Sequence, residues 1–192
     1  MRTLSELSLP ELWALFPITL TKPNPEWKLR FQEMKRTLSA QLPPDVRIHH
    51  IGSTALGTIW AKPIVDILIE AMPADFDTIH ASLLASGWLC MAHTAHRIDY
   101  NFGYTPTGFA ENVYHLHLRR FGDCDELYFL DYLRSHPQTA AEYEALKLSL
   151  WKPFEHDRDG YTEAKTDFVR RYTAEAKRGN TNGRFSASAA IP

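Results

Sequence analysis

The apolar positions change period along the chain, and those changes predict the order of elements. Trp27, Phe31, Met34 and Leu38 recur at i, i+4, i+7 and i+11, so a helix over 25–40 turns one stripe to a core, with Asn24-Pro25 as its cap and first turn. Leu42-Pro43-Pro44-Asp45 ends it, and 46–51 then reads as a strand stopping at Gly52. A second strand, 63–71, is rich in β-branched residues and too short for a helix. Pro73 opens a helix to about Ser86, with Phe76, Ile79, Leu83 and Leu84 as its inner face and Gly87 as its stop. Three further strands are predicted at 88–91, 97–104 and 112–120, the last two joined through Pro106-Thr107-Gly108. From Asp125 the period is helical again, with helices expected over about 125–134, 137–151 and 159–177. Helix, mixed strands, then helices is the order of an α+β fold.

Residues 1–16 stand outside this pattern as an N-terminal extension, with a short helix expected where Ser8 and Pro10 open it. Residues 179–192 form a small, polar tail expected to be flexible. The stretch 17–178 reads as one domain, because 192 residues with 44% hydrophobic and 23% charged positions supply a single well-buried core. A formal charge of −2 provides no global basic field, so there is no strong nucleic-acid signal and any nucleotide contact has to be local. Two cysteines, Cys90 and Cys124, are too few for a disulfide framework and lack metal-ligand spacing. No apolar leader and no run of membrane-spanning length is read, so a cytoplasmic protein without a membrane partner is the expectation.

Candidate chemistry begins in HHIGSTALGTIWAKPIVDILIE, residues 49–70, where a Gly-Ser-Thr turn follows one strand and an aspartate interrupts the next. Alternation sends Val65, Ile67 and Ile69 to one face and Asp66, Leu68 and Glu70 to the other. Asp66 and Glu70 are roughly 13 Å apart along the strand, too far for one metal. Two readings stand for Asp66: a rim carboxylate paired with Lys62, or a carboxylate facing a partly dry site with a cation or metal. Gly52-Ser53-Thr54 likewise reads as a turn in which Ser53 or Thr54 caps a short helix over 55–60, or as a turn whose backbone N–H groups hold phosphate.

In the strand Val113-Tyr114-His115-Leu116-His117-Leu118-Arg119, the two histidines share a face, roughly 6.6 Å apart, close enough to converge on one metal ion or phosphate. Tyr161 and Lys165 stand at i, i+4 on the last helix and Lys147 on the one before it, which makes them either a solvated face or donors toward a triphosphate.

Taken together, HHIGST, AKPIVDILI, the YHLHL strand, FLDYLRSHPQTAAEYEALK and YTEAKTDFV, spread from about residue 17 to about residue 172, resemble the GrpB family of bacterial proteins. The resemblance implies a nucleotidyltransferase-like mixed β-sheet flanked by helices, with a C-terminal helical segment. In such a fold a Gly-Ser turn binds nucleotide phosphates and carboxylates on adjacent strands hold Mg²⁺. Gly52 and Ser53 match the turn and Asp66 the first carboxylate of an Asp-x-Asp pair, but Leu68 stands where the second belongs. His115 and His117 occupy the strand of a third, and Ala55-Leu56-Gly57 replaces the commoner Val-Pro-Gly. A two-Mg²⁺ mechanism needs oxygen ligands bridging ions about 4 Å apart, so one divalent metal, Mg²⁺ or Mn²⁺, on Asp66, His115 and His117 is the expected site, the imidazoles suiting Mn²⁺ or Zn²⁺ better than Mg²⁺. Some bacteria fuse this domain to dephospho-CoA kinase, but the P-loop that a kinase of that kind needs is missing from this sequence.

Three functions follow as expectations. A metal-dependent enzyme would move a nucleoside monophosphate from a nucleoside triphosphate to a hydroxyl acceptor, with Gly52, Ser53 and Thr54 at the phosphates, Asp66 on the metal, Lys62 and Lys165 on developing charge and His117 or His115 as base or ligand. A non-catalytic domain would bind a nucleotide or another phosphorylated small molecule, which Leu68 favours. A histidine-based metal hydrolase rests on His115 and His117 alone.

Overall fold

The computed structural model describes residues 3–179. A capping box of Ser8 and Glu11 opens α1, Leu9–Leu15. Asn24 Oδ1 accepts the Glu26 N–H at 2.9 Å and starts α2, Glu26–Gln41, whose Trp27 and Leu38 are buried while Phe31 and Met34 pack beside them. Strand β1, Arg47–Ile51, runs straight into α3, Gly52–Leu56. This corrects the expected helix over 55–60: Ser53 and Thr54 lie inside the helix and no side chain caps it. The reason is Gly52, whose φ of +71° turns the chain from strand to helix in one residue.

Strand β2, Val65–Ala71, is followed by a 3₁₀ turn at Pro73–Asp75 and by α4, Phe76–Ala85. Leu84, expected on the inner face of α4, is 44% exposed, because Phe76, Ile79 and Leu83 already fill the contact with the sheet. Then come β3, Leu89–His93, β4, Arg97–Thr105, and β5, Gly108–Arg120, which starts four residues before the predicted strand. Helices α5, Asp125–Ser135, α6, Pro137–Trp151, and α7, Arg158–Gly179, complete the described chain. The expected tail lies outside the described residues apart from Gly179.

The five strands form one mixed sheet in the order β1-β2-β5-β4-β3, with β2 and β5 parallel and the other pairs antiparallel. It is flanked by helices on both faces and carries a helical C-terminal segment, which is the predicted α+β class. One face holds Val65, Ile67, Ile69, Tyr114, Leu116, Leu118, Ile98 and Tyr100 in a single apolar cluster with Trp27, Leu38, Ile79 and Leu83 from α2 and α4. Each such side chain contributes about 1.5–3 kcal/mol by leaving water, so this face fixes the register of the opposite one. The opposite face presents Asp66, Leu68, Glu70, His115, His117, Arg119 and Asp99 toward α5 and α7. Among the described residues no helix is long and apolar enough to cross a membrane.

Candidate functional site

Register builds the site. Asp66 pairs with Ile51 on one side and with His115 on the other, so the acid sits beside both the Gly52-Ser53 turn and the histidine strand. A Cβ added to Gly52 would stand 2.5 Å from Asp66 Oδ2, hence glycine is required there for space as well as for φ. Asp66 Oδ1 lies 3.1 Å from His115 Nδ1, and the other nitrogen of that ring lies 2.8 Å from the Tyr104 hydroxyl, itself 2.8 Å from Arg158 Nη2. Carboxylate at one end and guanidinium at the other assign the protons: Arg158 donates to Tyr104, Tyr104 to His115 Nε2, and His115 Nδ1–H to Asp66. Among the described residues no hydrogen bond reaches Asp66 Oδ2.

Burial pushes the Asp66 pKa up, but the His115 hydrogen bond and the charges of His115, His117 and Lys62 offset it, and the net result lies below the ordinary carboxylate value. Burial lowers His115 despite Asp66. The two rings do not converge. His117 Nδ1 is held 2.8 Å from Asp99 Oδ1, with Arg119 Nη2 2.7 Å from the same oxygen. The three-ligand set of Asp66, His115 and His117 is therefore not assembled around one point among the described residues. Glu70 serves structure: His49 Nε2 lies 3.0 Å from one of its oxygens, and the Gly122 N–H donates to the other at 3.0 Å.

The lysines define the character of the site. Lys147, 3% exposed, donates to Ser53 Oγ at 3.1 Å and to the Trp60 carbonyl. Lys165 Nζ stands 4.1 Å and Lys62 Nζ 5.6 Å from the centre of the Tyr161 ring. Burial is the main cause that brings Lys62 and Lys147 down to about 7 and Lys165 to about 8. Repulsion from neighbouring cations, Lys165 on Lys62 and Lys147 and Arg158 on Lys62 and Lys165, adds to it, and Asp66 opposes it. No ion pair joins Lys62 to Asp66 among the described residues, so the rim-pair reading of that carboxylate is corrected: its direct partner is His115.

A cavity of about 570 Å³ opens between the sheet and α5–α7, with Gly52, Ser53, Asp66, His117 and Lys165 at one end and Phe129, Leu133, Tyr143 and Val169 along its apolar wall. Lys62 and Arg158 line a separate, smaller hollow of about 240 Å³. Tyr161 is 1% exposed and its hydroxyl has no hydrogen-bond partner among the described residues. Thr54 is turned away from the cavity, since it is buried and its hydroxyl meets His50 Nε2 at 3.0 Å. Burial and Arg134 hold that imidazole neutral, with a pKa of about 4. Leu68 is fully buried against Ile51, Cys124 and Leu127.

Asp99, Tyr104 and Arg158 were not among the sequence candidates. Asp99 was open to the same alternation argument as His117, which it faces across the β4–β5 pair. Tyr104 was not: Ile98, Tyr100 and Phe102 alternate onto the core face, and only the register shift at Gly103 turns Tyr104 to the other side.

The family profile described as GrpB protein matches residues 17–175. The chain belongs to the GrpB family. It is 29% identical over 190 residues to the UPF0157 protein YqkA of Bacillus subtilis, covering 96% of this chain and 54% of that protein. It is 32% identical over 158 residues to a UPF0157 protein of Pseudomonas aeruginosa, covering 80% and 65%. The chain thus spans less than two thirds of the length of these two relatives. The crystal structure of the conserved protein GrpB from Enterococcus faecalis superposes with a TM-score of 0.73 at 25% identity, over 84% of this GrpB-family chain and 98% of that one.

Proposed function

We propose that the cavity binds the phosphates of a nucleoside triphosphate and that the protein transfers the nucleoside monophosphate to an acceptor hydroxyl. One observation carries this reading: a buried Lys147, two half-buried lysines, Lys62 and Lys165, over the Tyr161 ring, and Arg158 surround a single carboxylate beside a Gly-Ser turn. Such an excess of confined positive charge is costly until a polyanion fills it. Ser53 and Lys165 would meet the phosphates, Lys147 would hold the Ser53 hydroxyl in place, and Lys62 and Arg158 would add field from the separate hollow that they line. The apolar wall of Phe129, Leu133, Tyr143 and Val169 offers the base or the acceptor a dry surface.

The donor set fits one divalent ion and not two. Asp66 Oδ2 accepts no hydrogen bond among the described residues and would meet one ion, whereas Leu68 gives no second carboxylate. Mn²⁺ or Mg²⁺ there would neutralise phosphate charge. His117, with Nδ1–H toward Asp99 and its Nε2 lone pair free, would take the proton of the acceptor hydroxyl as its oxygen attacks the α-phosphorus and pyrophosphate leaves.

The buried Leu68 favours a second reading, a binding domain on the same fold that holds a phosphorylated ligand without turnover. Calorimetric titration of ATP, GTP, CTP and UTP with Mn²⁺ separates the readings when paired with a pyrophosphate-release assay. Tight, metal-dependent binding lost in Asp66→Ala, with pyrophosphate released, supports transfer. Chelator-insensitive binding without release selects the second reading. No binding by wild type, or equal binding by Lys165→Met, sinks both.

A further inference from the structure

We infer that His80, Cys90 and His93 form a zinc-class metal site that pins α4 to the edge strand β3, apart from the phosphate cavity. The donor atoms of the three residues all lie within 4.8 Å of one another. A tetrahedral Zn²⁺ with Zn–S and Zn–N bonds of about 2.3 and 2.0–2.1 Å sets its ligands about 3.4–3.6 Å apart, so closure needs only rotation of side chains. Cys90 and His93 are exposed, and Cys90 is a free cysteine.

The backbone is arranged for this convergence. Cys90 and His93 are three residues apart, and in a regular strand they would point to opposite faces. The register of β3 slips between Cys90 and Ala92, so that Cys90 lies opposite Tyr100 and His93 opposite Ile98, two positions that share one face of β4. The bulge at Met91 thereby brings both ligands to the side that α4 covers, where His80 stands. The His80 and His93 rings are 4.8 Å apart between centroids. His80 Nδ1 lies 2.8 Å from the Tyr100 hydroxyl; with that nitrogen as the donor, Nε2 keeps its lone pair for a metal, the arrangement in which an outer partner orients a ligating imidazole.

The chemistry of the donors selects the ion. One thiolate and two imidazoles suit Zn²⁺ and its substitute Co²⁺ and suit Mg²⁺ poorly, which distinguishes this set from the oxygen of Asp66. Three protein ligands leave a fourth position for water or a fourth side chain.

The test uses the full chain, kept reduced, titrated with Co²⁺ and followed by absorption. The expected result is one equivalent bound with a near-ultraviolet thiolate-to-cobalt charge-transfer band, displaced by Zn²⁺, lost in Cys90→Ser and at least about tenfold weaker in affinity in His93→Ala. Asp66→Ala is expected to leave the band unchanged, and Zn²⁺ is expected to raise the melting temperature of wild type but not of Cys90→Ser. Both altered residues are exposed, so the variants keep the fold. Absence of the band in wild type, or its persistence in Cys90→Ser, overturns the assignment.

Discussion

At the scale of single residues, the site depends on two residues that carry no charge, Gly52 and Tyr104. Gly52 occupies φ +71° with its α-carbon against Asp66, so Gly52→Ala introduces backbone strain and a contact that displaces the carboxylate from His115. A loss of about 1–3 kcal/mol in urea unfolding is expected, together with loss of metal-dependent triphosphate binding. Tyr104 links Arg158 to His115, and Tyr104→Phe removes the donor that favours the neutral ring while leaving the Asp66 bond that favours the charged one. The His115 pKa is therefore expected to rise in Tyr104→Phe, read from the ring proton shifts in an NMR titration. An unchanged or lower value would remove Tyr104 from the chain of donors.

At the scale of elements, the same side-chain period that predicts the sheet also explains where prediction failed. Alternation in 63–71 and 112–120 placed Asp66, His115 and His117 on one face opposite the apolar core, and the pairing of β2 with β5 sets Asp66 directly beside His115. What alternation cannot foresee is a break in its own period. The shift at Gly103 carries Tyr104 to the polar face, and the bulge at Met91 brings His93 round to Cys90, so both unforeseen features follow from irregular strand register. Glycine at 103 is needed there because a Cβ would meet the Asn112 carbonyl at 2.3 Å. Arg158 is absent from the sequence candidates because its role depends on where α7 docks, which no local period encodes. Leu68 shows the opposite case, a position whose packing is decided by a distant element. It lies under α5 with Ile51, Cys124 and Leu127, so Leu68→Asp should not restore a second metal ligand. It buries an unpaired carboxylate instead, and a destabilisation of about 3–5 kcal/mol with no gain in Mg²⁺ affinity is expected from denaturation and titration.

At the scale of the whole molecule, Lys62, Lys147 and Lys165 couple ligand binding to stability through protons. In the unfolded chain lysines titrate at about 10.4, whereas Lys62 and Lys147 in the fold titrate at about 7 and Lys165 at about 8. Between these limits the unfolded state binds more protons than the native state, so stability rises with pH, the reverse of the loss expected for a lysine held by a fixed partner. The ligand-free protein is expected to gain about 1 kcal/mol per pH unit or more from about pH 7 to about pH 9, below the range in which its tyrosines ionise. A bound triphosphate supplies the missing counter-charge, raises the lysine pKa values and should flatten or reverse that slope. By the same linkage, binding takes up protons and tightens as pH falls through 8 and 7. Thermal unfolding at several pH values, with and without triphosphate, and calorimetry in buffers of different ionisation enthalpy measure both effects. A ligand-free melting temperature that falls from about pH 7 to about pH 9, or binding without proton uptake, would mean that these lysines are already neutralised within the fold and that the cavity is not built for a polyanion.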